Sequence, residues 1–200
     1  MSRRQTKKAT SKSAKGSSRQ RVVLEYVVLA VVAIAVALLI QQFLVKPYRI
    51  PSASMEDTLL IGDRVLVDRI SWRFGEPQRG DIVVFHPPKP GPVLIKRIVG
   101  MPGDVVSLKD GSVYIDGKLL DEPYVRVVNG QKEPTQPFET GLPWSLQSPY
   151  KVPIGSYFLM GDNRTNSGDS RDFGPVARGQ LIGRAFARYW PPRRIGGVGD

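Results

Sequence analysis

Two side chains, Ser54 and Lys96, carry the chemistry this sequence can bring to a carbonyl. The chain has no Cys and a single His, His86, which excludes thiol nucleophiles, disulfides and Cys-bound zinc. A serine hydroxyl attacks only when a base takes its proton, and a lysine amine can be that base once burial lowers its pKa from about 10.4. Lys96 lies inside the apolar run 93–99, and strand alternation puts it on one face with Leu94 and Ile98. From the strand alone two readings stand: a lysine at a sheet edge, and a lysine buried to act as a base. Ser54 follows Pro51-Ser52-Ala53, which reads equally as an ordinary turn or as a nucleophile segment. The Ser-x-x-Lys spacing is absent, because Asp57 holds the lysine's place, and no Gly-x-Ser-x-Gly elbow occurs. His86 ends an apolar run before Pro87-Pro88 and reads as structural.

A third chemical segment runs from Gly161-Asp162-Asn163-Arg164 through Ser167-Gly168-Asp169-Ser170-Arg171. Its turn formers and alternating charges predict a loop held by its own hydrogen bonds. A calcium loop does not fit, since Arg164 and Arg171 intrude and no Glu stands at the required distance. Asp169 with Arg171 reads as an ion-paired turn.

The elements that must position these groups are short. From Pro51 onward, apolar runs of four to eight residues alternate with Pro or Gly punctuation, and no helical period exceeds two turns. This predicts a mainly β fold, an antiparallel sheet or barrel-like domain. Lys109-Asp110-Gly111 and Asp116-Gly117 are hairpin signals. Residues 129–150, rich in Pro, Gln, Gly and Ser, read as an insertion loop.

Ahead of that domain, residues 26–45 form an apolar stretch broken only at Gln41-Gln42, about 30 Å as a helix, which matches a bilayer core. A cleaved signal peptide is the rival, but Val45-Lys46-Pro47-Tyr48-Arg49 offers no small-x-small site. Residues 1–21 hold eight Lys and Arg and no acid, so only three of the net eleven positive charges remain for the rest. The expected organisation is a basic cytoplasmic tail at 1–21, a transmembrane helix at 22–45 and an extracytoplasmic catalytic domain at 46–200. The tail lacks aromatic interleaving, so lipid headgroups suit it as a partner better than nucleic acid.

Together the three segments resemble type I signal peptidases, membrane proteases with a Ser-Lys dyad. Ile50-Pro51-Ser52-Ala53-Ser54-Met55 with Thr58-Leu59-Leu60-Ile61-Gly62-Asp63 is similar to the family's nucleophile segment. Residues 79–85 with Ile95-Lys96-Arg97-Ile98-Val99-Gly100 are similar to its base segment, and 161–171 to its last signature. The resemblance implies Ser54 as nucleophile, Lys96 as general base, Ser52 as an oxyanion donor beside the Ser54 N–H, and Ser167 as the residue that orients the Lys96 amine. Asp169 and Arg171 would brace that loop. Ile50, Met55, Leu59, Val84, Leu94 and Ile95 would line shallow pockets for small side chains of an extended substrate. No metal, nucleotide or other cofactor is implied. Secretory preproteins would be the substrates, the plasma membrane the location, and the export machinery a further partner the resemblance allows. Asp57 departs from the family, which usually has Pro there, and an inward-facing acid so close would raise the Lys96 pKa.

Two other functions compete. A self-cleaving repressor-type protease shares the dyad but would be cytosolic, which the apolar stretch opposes. A membrane-tethered β-domain that merely binds exported chains would leave Lys96 charged and Ser54 inert.

Overall fold

The computed structural model describes residues 13–199. The expected tail at 1–21 therefore lies in part, at 1–12, outside the described residues. Helix α1 spans Ser13–Phe43. Every side chain from Arg21 to Leu38 is exposed, and this is the one helix among the described residues long and apolar enough to cross a bilayer. Its limits differ from the expectation at both ends. The helix starts in the basic stretch, where no proline interrupts the chain and Ala14, Lys15, Arg19, Gln20 and Arg21 offset the weaker Gly16 and three serines. It also stops early. Val45, expected as its last residue, already begins a strand that contains Pro47, a residue no helix interior tolerates.

The rest of the chain is built from strands. In order they are β1 (Val45–Arg49), β2 (Arg64–Asp68), β3 (Ile82–Phe85), β4 (Leu94–Gly100), β5 (Val105–Lys109), β6 (Ser112–Ile115), β7 (Lys118–Leu119), β8 (Val127–Val128), β9 (Gln131–Lys132), β10 (Tyr150–Lys151) and β11 (Ser156–Met160). The one-turn helix α2 (Ser170–Phe173) precedes β12 (Val176–Ala177), β13 (Leu181–Trp190) and β14 (Gly196–Gly197). The main sheet has the order β1-β2-β13-β3-β4-β11-β12, with β14 on β13, and its neighbours pair antiparallel. Register shifts within β13 and β11 help curl it into a half-barrel. A smaller sheet, β10-β5-β6-β7, follows the site strands, and β8 and β9 form a separate ribbon. The mainly β, antiparallel expectation is met.

The two-residue period shows in the packing. Ile82, Val84 and Ile95 join Ile50, Met55, Leu59, Val65 and Val67 in one apolar cluster. Their strand neighbours Val83, Phe85 and Ile98 join Tyr157, Leu159 and Leu181 in a second cluster. Strand β4 is thus buried on both faces, which is why residues 93–99 read as a nearly unbroken apolar run.

Both expected hairpins form. Asp110-Gly111 and Asp116-Gly117 take positive φ at both positions, 51° with 75° and 50° with 76°, as two-residue primed turns require. The segment read as an insertion loop is more ordered than expected. Asn129-Gly130 makes a third such turn between β8 and β9. Thr135, Ser145 and Leu146 are buried, and Leu146 packs with Val99, Val106 and Phe158 in a third cluster.

Candidate active site

Ser54 stands in a single turn of 3-10 helix, Ala53–Met55, between β1 and β2. Both ends of this connection are fastened. Ile50 donates its N–H to the Asp63 carbonyl at 2.9 Å, and Gly62 donates to the Ile50 carbonyl at 2.9 Å. From the 161–171 segment, Asn163 donates its N–H to the Ser54 carbonyl at 3.2 Å and its Nδ2 to the Ala53 carbonyl at 3.1 Å. The turn that carries Ser54 is therefore clamped from a loop more than a hundred positions away.

Lys96 projects from the middle of β4, and its Nζ donates to Ser54 Oγ at 2.6 Å and to the Ile95 carbonyl at 3.0 Å. Both side chains are buried, Lys96 at 3% exposure and Ser54 at 7%. Burial lowers the amine pKa from 10.5 to about 8, against the Asp169 and Asp162 carboxylates, which raise it. Asp57 is exposed and is not among the groups that shift Lys96. Ser52 Oγ lies 3.4 Å from Ser54 Oγ. His86 is exposed at the end of β3, and its N–H donates to the Gln180 carbonyl.

The acids near Lys96 are each matched by a buried arginine. Asp162 receives Arg97 Nε at 2.9 Å and Nη2 at 2.7 Å, with Thr58 Oγ1 at 2.6 Å. Asp169 receives Arg171 Nε at 2.9 Å and Nη2 at 2.8 Å, plus the Gly161 N–H at 3.1 Å. Burial alone would push the Asp169 carboxyl up, but Arg171 and these hydrogen bonds hold it below the usual carboxylate range. A third arginine, Arg164, pairs with Glu122 and donates to Thr135 Oγ1 at 2.8 Å and to the Gly161 carbonyl at 2.9 Å. Breaking a buried pair of this kind costs about 3–5 kcal/mol, because the remaining charge has no partner.

Most of the expected residues converge here, though not all in the roles foreseen. Asp169 and Arg171 pair as read from the sequence. Ser167 is buried beside Gly161 and the Ser54 carbonyl, where its hydroxyl helps hold the Asp169 carboxyl low, and the expected bond to the Lys96 amine is not formed. Ile50, Val84, Leu94 and Ile95 line a cleft of about 70 Å³ with Tyr48, Ser52, Ser54 and Lys96. Met55 and Leu59 do not line it, because the turn around Ser54 points them into the first apolar cluster, where both are fully buried.

Sequence reasoning missed Arg97, Asp162, Thr58, Asn163 and Gly161 as individual contributors. One signal was available. An arginine next to Lys96 in an otherwise apolar strand demands a carboxylate partner. Gly161 left no such mark. A Cβ at that position would run into Ser167 Oγ and the Ser54 carbonyl, so only glycine lets the loop pass so close to Ser54.

Known proteins share this arrangement's sequence. The family model described as signal peptidase, peptidase S26, matches residues 23–190. The probable signal peptidase I-2 of Synechocystis sp. is 42% identical over 167 residues, 80% of this chain and 70% of that protein. The signal peptidase I of Leptolyngbya laminosa is 40% identical over 168 residues, 80% of this chain and 76% of that protein. A crystal structure of a signal peptidase I from Enterococcus faecalis V583 aligns with 40% sequence identity over 55% of this chain and 97% of that one, at a TM-score of 0.47. With the family model spanning most of its length and relatives this similar, the chain belongs to the signal peptidase family, peptidase S26, and is a membrane-anchored serine protease that acts on signal peptides.

Proposed function

We propose that Ser54 is the nucleophile and Lys96 the general base of this protease, acting on secretory preproteins at the outer face of the plasma membrane. One observation carries the reading: the 2.6 Å contact between Lys96 Nζ and Ser54 Oγ, both buried. At a pKa of about 8, roughly a tenth of the amine is neutral at pH 7, enough to accept a proton at working pH. Neutral Lys96 takes the Ser54 hydroxyl proton as Oγ bonds to the scissile carbonyl carbon. The oxyanion that forms is met by the Ser54 N–H and the Ser52 hydroxyl. Lys96 then passes the proton to the departing amine of the mature protein, which leaves an acyl ester on Ser54. Water, deprotonated by Lys96, attacks that ester, and the signal peptide leaves with a free carboxylate. Ser167, buried beside the Ser54 carbonyl, is assigned the orienting of the Lys96 amine on the resemblance to the family.

Substrate choice follows from the cleft. The cleft beside Ser54 is small and its walls Ile50, Val84, Leu94 and Ile95 are apolar, which suits a small apolar side chain. A charged side chain there would be buried without a partner, which costs several kcal/mol. Cleavage is therefore expected after Ala or a similarly small residue, from a chain lying extended. The positive charges before α1 support a cytoplasmic N-terminus.

The test is cleavage of one preprotein. Ser54→Ala should lower the rate at least about a thousandfold with the fold intact. Lys96→Arg should be inactive too, because a guanidinium does not give up its proton. An active Lys96→Arg enzyme would remove Lys96 as the base. Equal rates with Ala, Phe or Lys before the cut would remove the proposed substrate choice.

A further inference from the structure

The edge strand beside the cleft carries two cations that nothing offsets. Strand β1 has one neighbour in the sheet, β2, so its outer edge is free. In the register of this pair Arg49 stands directly opposite Arg64, and both are exposed. Like charges directly opposite each other on neighbouring strands repel. Among the described residues neither guanidinium forms an ion pair. The acid next to Arg64 in sequence, Asp63, is taken by Arg194 at 3.2 Å and Arg188 at 3.7 Å. Arg64 lies 5.8 Å from the centre of the Trp190 ring, which has no net charge to give. Arg49 borders the cleft.

Strand alternation fixes where a bound chain meets this pair. Tyr48 and Ile50 pack in the first apolar cluster, so Arg49 between them lies on the opposite face of β1. Across the cleft, β11 pairs with β4 only from Arg97 to Gly100, which leaves the β4 edge at Leu94–Lys96 open. An extended chain laid between these two edges sends alternate side chains to alternate faces. With the first and third residues before the cut turned to the apolar walls, the second shares the outer face with Arg49. Side chains paired across adjacent strands have Cβ atoms about 4.5–5.5 Å apart, which a carboxylate and a guanidinium span easily.

We propose that Arg49, with Arg64 beside it, makes this protease favour an acidic side chain at the second position before the cut. The proposal rests on the reading above, in which the substrate lies extended with a small residue before the scissile bond. A Glu at the second position relieves the repulsion between the two arginines, whereas a Lys adds a third cation to it. Charge pairs at a surface are weak, so this contact ranks substrates and excludes none. Arg49 touches no reacting atom; it acts on specificity alone.

The test measures kcat/KM of the full-length enzyme in uncharged detergent. The peptides carry Ala before the cut and differ only at the second position, with Glu, Gln or Lys. Glu should be favoured over Lys about fivefold, with Gln between them. The preference should fade in about 1 M salt, where the Debye length is about 3 Å. Arg49→Gln should bring the Glu-to-Lys ratio close to one, Arg49→Lys should keep most of it, and Arg49→Glu should invert it. Each ratio is taken within one enzyme, so a general loss of folding or rate cancels. Equal rates for Glu and Lys in the wild type overturn the proposal, as does an Arg49→Glu enzyme that still favours Glu. If Arg49→Glu alters cleavage only when phosphatidylglycerol is added, and alike for all three peptides, the arginines serve lipid headgroups and the proposal falls. Lys directly before the cut is the control and should block cleavage of every peptide. If it does not, the reading of the cleft fails, and this proposal with it.

Discussion

In the proposed mechanism Lys96 sets the enzyme's working pH, and its neighbours set Lys96. The protonated amine is inactive, so kcat/KM should rise with pH and level off above about 8. Thr58 donates to Asp162, one of the two carboxylates that raise this amine's pKa. Thr58→Val would leave more charge on Asp162, favour the ammonium, and move the rising limb to higher pH by about half a unit. Thr58→Ser should restore it, and a limb that stays put or moves down would refute the link. The same lysine costs stability. Its folded pKa of about 8 lies below its ordinary 10.5, so at pH 7 the fold carries a charge it disfavours, by roughly 3 kcal/mol. The unfolded chain binds more protons between those values, so this penalty fades as pH rises from about 8 to 10.5. Lys96→Met should therefore be inactive but more resistant to urea at pH 7, with the advantage shrinking above pH 8. An unfolding midpoint no higher than wild type would show that the penalty is relieved elsewhere.

The elements differ in how plainly the sequence announces them, and the difference is one of range. Helix α1 is legible because its apolar surface covers every face, a local property. Asp110-Gly111 and Asp116-Gly117 are legible because two residues suffice to set the turn. Asn129-Gly130 carries the same signal and was overlooked, because the Pro- and Gln-rich surroundings outweighed it. The site is harder to read. Ser54 and Lys96 are 42 positions apart, and Arg97 and Asp162 are 65 apart. No periodicity links such pairs, so a resemblance to the family was needed to join Ser54 with Lys96. Met55 and Leu59 show the same limit, since only the path of the turn decides that they face the core instead of the cleft. The tightest junction lies between elements, where β11 ends and Gly161 passes Ser54. Gly161→Ala would force Ser167 and the Ser54 backbone apart. Cleavage should fall at least about a hundredfold, with stability lowered by about 1–3 kcal/mol as in overpacked cores. Near-normal kinetics in that variant would mean the nucleophile turn has room to move.

At the scale of the molecule, a basic N-terminus, an apolar helix and a β-rich protease domain follow one another along a single chain. Protease applied to the outer face of sealed spheroplasts should digest 46–200 and spare an epitope tag on the first residues, as the positive-inside rule requires. Protection of the large domain would invert that topology. The junction itself carries a further consequence. Leu44 alone separates α1 from β1, and β1 takes up half of the ten residues between Phe43 and Ser54. Fully extended, that stretch spans at most about 40 Å, so in the proposed mechanism the chain's own length caps how far from the end of the anchor a scissile bond can be cut. A Gly-Ser spacer of ten residues after Phe43 would add about 17 Å of reach. Preproteins whose cleavage site is displaced from the membrane should then become substrates, while turnover of a short soluble peptide stays constant. If the spacer changes neither, the limit lies in the substrate's own helix and not in this joint.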